Sequence, residues 1–170
     1  MKAVLKLLTI AVLAVLIAGA LLVFTPLGDE PLAGLFPVGE TEPVDFATLQ
    51  LADSPNQYLL CPPGLCSARA DAESAVYDQP VDALHARWDD VIAAQPRVEV
   101  LERDRTNQQI DYVQRSARFR FPDIITVRFI PLPENRSTIA IYSRSVFGQS
   151  DFGVNRERIE EWVAALEDGS

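Results

Sequence analysis

The stretch from Ile110 to Ser145, IDYVQRSARFRFPDIITVRFIPLPENRSTIAIYSRS, decides the fold. Its hydrophobic period is two, the period of a strand with one buried face. Three extended runs follow one another: Ile110 to Phe121, Ile124 to Leu132, and Thr138 to Ser145. Ala117, Phe119 and Phe121 share one side of the first run. Ile125, Val127 and Phe129 share one side of the second, and Ile139 and Ile141 lead the third. Pro133-Glu134-Asn135-Arg136 is turn chemistry between the last two runs. Upstream, Val98 and Val100 begin a further strand, and Thr106-Asn107-Gln108 turns it back toward Ile110. Short turns between runs of this kind predict a four-stranded antiparallel meander.

Helical periodicity brackets the strands. From about Pro80 to Gln95, Leu84, Trp88, Val91 and Ile92 form one apolar stripe. Asp78 is placed to cap this helix, Pro80 suits its first turn, and Pro96 stops it. From Asp151 to Leu166 a second helix turns Ile159, Trp162, Val163 and Leu166 inward, with Asp151 or Asn155 as its cap. The order α-β-β-β-β-α predicts an α+β domain with both helices on one face of the sheet.

The chain has 170 residues, 48% of them hydrophobic, which suits one domain of ordinary size plus a short appendage. This composition excludes a disordered chain, a collagen-like repeat and a disulfide-dense miniprotein. One His and two Cys leave no obvious N/S metal site of three or four ligands, and no cofactor is expected. The net charge of −9 argues against a general nucleic-acid binder.

The appendage is N-terminal. Leu7 to Phe24 are eighteen residues without a charge, and twelve of them are Leu, Ile, Val or Phe. As a helix the run spans roughly 27 Å, close to the hydrocarbon thickness of a bilayer. Its apolar side chains favour insertion by about 5 kcal/mol. Lys2 and Lys6 precede it, whereas Asp29 and Glu30 follow it. The positive-inside rule then puts the N-terminus in the cytoplasm and the rest of the chain outside it, and the expectation is a single-pass protein of a bacterial inner membrane with a periplasmic or extracytoplasmic domain. Ala18-Gly19-Ala20 resembles a cleavage site, but cleavage there would start the mature chain at Leu21-Leu22-Val23-Phe24. Residues 1–25 are therefore read as an uncleaved signal anchor, 26–44 as a Pro/Gly-rich linker, and 45–168 as one exported domain. Leu32, Leu35 and Phe36 also allow the linker to pack on the domain as irregular structure.

Within that domain, SPNQYLLCPPGLC from Ser54 to Cys66 reads as an ordered loop or pair of turns. In an oxidising compartment Cys61 and Cys66 default to a disulfide. The spacing is not C-x-x-C, which weakens a redox reading. His85 is the sole histidine and lies one position off the buried stripe, without a nucleophile motif to serve.

Two arginine groupings could bind an anion. If Phe119, Phe121, Val127 and Phe129 face the helices, alternation turns Arg118, Arg120 and Arg128 the other way, with Arg144 beside Tyr142 joining them. Charged residues that merely wet the open face of a sheet give the same pattern. The denser cluster lies at the junction of the last strand and last helix: Ser143, Arg144, Ser145, Gly148, Ser150, Asp151, Gly153, Asn155, Arg156 and Arg158. Helix-terminal amides plus arginines make an anion site, and the same residues can form a capping network that needs no ligand.

That cluster carries a resemblance. Tyr142 to Glu160, YSRSVFGQSDFGVNRERIE, is similar to the C-terminal motif of a bacterial and plastid domain-of-unknown-function family, number fourteen ninety-nine. The matching positions are Ser143, Arg144, Ser145, Gly148, Ser150, Asp151, Phe152, Gly153, Val154, Asn155, Arg156, Arg158 and Ile159. Phe121-Pro122-Asp123 and Ser54-Pro55-Asn56 also resemble it. Many members carry a Cys after Ser-Pro-Asn, where this chain has Gln57. The resemblance covers roughly residues 45 to 166 and implies an N-terminal membrane or export segment, but no activity.

Three functions fit these readings. The leading one is a non-catalytic binding or envelope-associated module that takes an anionic small molecule or envelope component through the region of Arg144, Asp151 and Arg156. The second is an enzyme acting on an envelope substrate, with Asp151 as acid/base and Ser145 or Ser150 nearby. The third is a structural tether. The charge distribution is compatible with the first: residues 29–96 hold two Arg and twelve acids, whereas residues 97–170 hold eleven Arg and twelve acids.

Overall fold

Strand pairing extends the antiparallel expectation and adds to it. The computed structural model describes residues 2–168. Four strands run as the sequence predicts: β3 (Val98–Asp104), β4 (Gln109–Arg115), β5 (Pro122–Leu132) and β6 (Arg136–Ser145). Two more, β1 (Gln57–Cys61) and β2 (Ala72–Glu73), precede them in the chain. The sheet is thus six-stranded and mixed, in the order β2-β1-β6-β5-β4-β3, rather than a four-stranded meander. β1 pairs antiparallel with β6, and β2 adds in parallel to β1.

The stretch read as a loop hides β1 for a physical reason. Tyr58 and Leu60 pack in the main core, and Leu59 and Cys61 pack in a second, smaller one on the opposite face. A strand buried on both sides is a short continuous apolar run and lacks the alternation that marks a half-buried strand.

The main core lies between the sheet and two helices, α3 (Val81–Ala93) and α4 (Val154–Asp168). Leu84, Trp88 and Val91 of α3 and Ile159, Trp162 and Leu166 of α4 are buried against Tyr112, Ile125, Val127, Phe129, Ile139 and Ile141. Trp88 and Trp162 meet edge to face, ring centroids 5.9 Å apart. Both helices therefore share one face, as the order of elements implies. The second face is not open: Val44, Phe46, Leu49, Leu51, Leu65, Ala68 and Ala70 cover Leu59, Cys61, Ala140 and Tyr142. The helix boundaries differ slightly from the expectation. Pro80 occupies the N-cap of α3, so Asp78 does not cap it.

One run ends early. β4 stops at Arg115, and residues 116–121 form a hairpin loop closed by the Ser116 amide donating to the Phe121 carbonyl at 2.9 Å. Arg120 adopts a left-handed conformation there (φ 58°), which breaks the alternation. Phe119 and Phe121 consequently point outward, 48% and 37% exposed, instead of into the core. β3 is an edge strand, and a bulge between Val100 and Glu102 interrupts its ladder, a common guard against edge-to-edge pairing.

Ahead of the domain, α1 (Lys2–Phe24) is one helix long and apolar enough to span a membrane, and it buries no residue against protein. A 3₁₀ turn at Pro26–Gly28 follows it. Gly28 is required in that turn, because a Cβ there would collide with the Leu22 carbonyl. The segment expected as a linker contains a short helix, α2 (Asp29–Leu35). Pro31 is tolerated because amides of the first turn have no intrahelical acceptor. Beyond it the chain packs on the domain. Arg115 donates to the Phe36 carbonyl at 3.0 Å, and Gln109 to that of Val44 at 3.1 Å.

Candidate functional site

Strand alternation divides the polar cluster between Ser143 and Arg158 into two unequal parts. Ser143 and Ser145 share the helix-side face of β6 with Ile139 and Ile141, whereas Arg144 projects from the other face with Ala140 and Tyr142.

The helix-side part is a closed network. Asn155 is fully buried. Its amide nitrogen donates to the Asn56 carbonyl (3.0 Å), Ser145 Oγ (3.1 Å) and Asp151 Oδ2 (2.7 Å). Its side-chain oxygen accepts from Ser143 Oγ (2.6 Å) and from Arg158 (2.7 Å). Arg158 donates as well to Ser143 Oγ (3.0 Å), Gln114 and Asp123, the last two at 2.5 Å. Arg158 and Asp123 form an ion pair whose side chains are 6% and 12% exposed. Buried charges are kept only when paired and hydrogen-bonded, and Arg158 meets that condition fully. Asn56 in turn donates to the Gly148 carbonyl at 2.7 Å and accepts from Ser54 at 2.6 Å. The Ser54-Pro55-Asn56 and C-terminal motifs, far apart in the chain, thus meet in one knot that fastens α4 to β4, β5, β6 and the turn before β1.

Asp151 belongs to this knot as a cap. Its carboxylate accepts from the amides of Gly153 (3.0 Å) and Asn155 (2.8 Å), so both oxygens serve the start of α4. Burial raises its pKa, and these amides with the Asn155 side chain outweigh that, leaving it below the ordinary carboxylate value. A carboxylate held ionised is poorly suited to donate a proton at neutral pH. Ser150 accepts from the Phe152 amide at 3.3 Å. Arg156 is 56% exposed, lies 3.7 Å from Glu160, and stacks over the Tyr58 ring at 4.9 Å. It is on the helix side and does not join Arg144.

The second part is Arg144 and what surrounds it. Its guanidinium sits over the Tyr142 ring at 5.1 Å and donates one long hydrogen bond, 3.4 Å, to Thr126 Oγ1. No carboxylate lies within 4.0 Å of it among the described residues. Burial pulls its pKa below the ordinary value, against the influence of Tyr142 and Asp111. The Tyr142 hydroxyl donates to Gln57 Oε1 at 2.6 Å, and Gln57 pairs with Arg144 in the β1–β6 register. Asp111 stands across from Thr126 in the β4–β5 register, and its buried Oδ1 has no hydrogen-bond partner among the described residues. Arg144, Tyr142 and Ile124 line one side of a cavity of about 530 Å³, whose other wall is the segment from Val38 to Gln50, including Glu40, Glu42 and Asp45.

The remaining arginines do not form one face. Arg128 shares the Arg144 side of the sheet but pairs with Ala140, four positions along β6 or roughly 13 Å away. Arg118 and Arg120 leave the sheet altogether in the 116–121 loop. Arg120 is buried and donates to Asp29 and to the Ala117 carbonyl, and Arg118 lies over the Phe24 ring at 5.7 Å. The sulfurs of Cys61 and Cys66 are at disulfide distance, with Cα atoms 6.3 Å apart, and pin the Pro62–Leu65 turn to the second core. Half-buried His85 contacts Asp89 at 3.3 Å and stacks near Phe129 at 4.6 Å. No group of three metal-ligating side chains occurs among the described residues.

Sequence reasoning did not find Thr126, Gln57, Asp111 or the wall from Val38 to Gln50. These are ordinary polar and loop residues, brought to Arg144 by register and by a chain crossing that no local pattern encodes. Comparison with curated proteins returns no match. The family model described as protein of unknown function DUF1499 matches residues 41–166, a span that includes both halves of the knot, Arg144, and the wall over it from residue 41 on. The chain belongs to that family.

Proposed function

We propose that this protein is a membrane-anchored, non-catalytic binding module whose ligand presents a carboxylate or phosphate to Arg144. The observation that carries the reading is the contrast among the arginines. Arg158 and Arg120 are buried and spent on fixed partners, whereas Arg144 is sunk beside a cavity with one long hydrogen bond and no ion pair among the described residues. A guanidinium carries five donors in a planar fork, so most of those of Arg144 are available to a bidentate anion. A desolvated cation without a carboxylate in contact is costly, and a bound anion reduces that cost. Glu40, Glu42 and Asp45 on the facing wall make the mouth negative, which favours a small, singly charged anionic group on a polar remainder over a polyanion. The reading takes α1 as the anchor, and the two lysines ahead of its apolar run support, by the positive-inside rule, a cytoplasmic N-terminus with the domain outside.

The test is NMR of the full chain in micelles, following the Arg144 Nε–Hε signal, assigned by its loss in Arg144→Met. Acetate, inorganic phosphate and glycerol phosphate serve as probes at constant ionic strength. A saturable shift of this signal with at least one probe, absent from that of Arg158, is expected. Shifts equal at all arginines, or none, contradict the reading.

A further inference from the structure

The end of the domain nearest α1 carries an apolar patch that the anion cavity does not use. Phe119, Phe121, Phe147 and Phe152 are 48%, 37%, 42% and 94% exposed, and Val154 is 45% exposed. They line a groove of about 500 Å³ together with Ala117 and Arg118. Phe36 of the segment after α2 joins the patch, with ring centroids 4.4 Å from Phe121 and 5.6 Å from Phe147. Phe152 is held in a left-handed conformation (φ 56°) that presents its ring to the outside, an uncommon state for a bulky side chain. Soluble domains seldom expose aromatic side chains so densely without a partner surface.

What covers the patch follows from its continuity with the anchor. The Ala117–Arg118 corner also borders a hollow lined by Val23, Phe24, Thr25, Asp29 and Arg97. Arg118 lies over the Phe24 ring, the last residue of α1, and Arg120 bonds to Asp29 at the start of α2. These contacts hold the aromatic end of the domain against the C-terminal end of α1 and the start of α2. Leu27 and Leu35, 70% and 69% exposed, extend the apolar surface along the same connection. Arg97 and Arg118 flank it with positive charge, the pattern of an interfacial surface that meets aromatic rings to acyl boundary and cations to phosphate headgroups.

We infer that the domain rests its aromatic end on the bilayer that α1 spans, with the Phe119–Phe121–Phe147–Phe152 patch in the interfacial layer and Arg97 and Arg118 at the lipid phosphates. The inference rests on the reading of α1 as a membrane anchor, but not on the anion cavity. It restrains the domain in orientation as well as in position, and it turns the β5–β6 turn at Glu134 away from the membrane, since β5 runs eleven residues or about 36 Å from the patch to that turn.

The test uses the full chain in nanodiscs of phosphatidylethanolamine and phosphatidylglycerol, with single cysteines at Phe152→Cys, Glu134→Cys and Leu16→Cys, spin-labelled under non-reducing conditions. Oxygen partitions into the bilayer and a nickel chelate stays in water, so their ratio of accessibility reads depth. The ratio at 152 is expected to exceed that at 134 several-fold and to fall below that at 16. A ratio at 152 equal to that at 134, with 16 immersed, overturns the inference and leaves the anchor standing. An aqueous reading at 16 overturns both. Protection of 152 from both reagents points to a protein partner or second copy on the patch and overturns the inference as well. Should Phe152→Cys disturb the fluorescence of Trp88 and Trp162, Val154→Cys replaces it with the same expectations.

Discussion

Replacing Arg158 with Met separates a structural arginine from a binding one. Met keeps most of the aliphatic volume, so the loss is electrostatic rather than a cavity. The guanidinium donates to Asp123, Gln114, Ser143 and Asn155, and the Arg158–Asp123 pair is 6% and 12% exposed. Removing one member of a buried ion pair leaves the other uncompensated and costs about 3–5 kcal/mol. In a domain of this size a loss of about 3 kcal/mol lowers Tm by on the order of 10 °C. Arg144→Met behaves oppositely. It removes a desolvated cation with no carboxylate partner, so stability should stay within about 1 kcal/mol of the parent or rise. Both variants are measured by urea unfolding of the full chain in detergent, read from Trp88 and Trp162. Both rings are buried between the sheet and helices. Equal destabilisation by the two variants, or a loss below about 1 kcal/mol for Arg158→Met, would refute the division of the cluster.

Other consequences follow from the same packing. Asp151 has a folded pKa below its unfolded one, so it contributes stability above the ordinary carboxylate range that is lost as pH falls through the folded value. Asp151→Asn should therefore flatten the acid limb of the urea midpoint against pH, and cost about 1 kcal/mol at neutral pH as a weakened cap. Reducing Cys61–Cys66, or replacing both with Ser, should cost about 2 kcal/mol, because the closed loop is short. A larger loss in the same unfolding assay would mean that the bond also holds the second core together. Trp162→Ala should cost about 3–5 kcal/mol, since the ring is buried and packs on Trp88.

The parts of the fold visible in the sequence are those with a period. Leu84, Trp88 and Val91, or Ile125, Val127 and Phe129, repeat at helix or strand spacing because one side meets the core and the other does not. Tyr58-Leu59-Leu60-Cys61 carries no such signature, because both faces are covered, and β1 was therefore hidden among turn residues. Phe119 and Phe121 alternate like core residues yet face outward, because Arg120 interrupts the strand with a left-handed turn, and alternation counts assume an unbroken backbone. The cluster at the β6–α4 junction was legible as a group, and its capping reading describes Asp151, Asn155 and their neighbours, while the binding reading stands as the proposal for Arg144. The pleat of β6 decides which residue does which: Ser143 and Ser145 face α4, and Arg144 faces away. That division depends on strand register, and the wall over Arg144 depends on contacts across some eighty residues or more, neither of which the local pattern contains.

The most direct test of the central claim is native mass spectrometry of the full chain released from its own membrane. The account predicts that the wild-type protein carries a small anionic molecule, that Arg144→Met loses it while remaining folded, and that Arg156→Ala retains it. A wild-type chain that flies at its bare polypeptide mass, or a molecule retained equally by Arg144→Met, contradicts the assignment of Arg144 as the anion-binding residue.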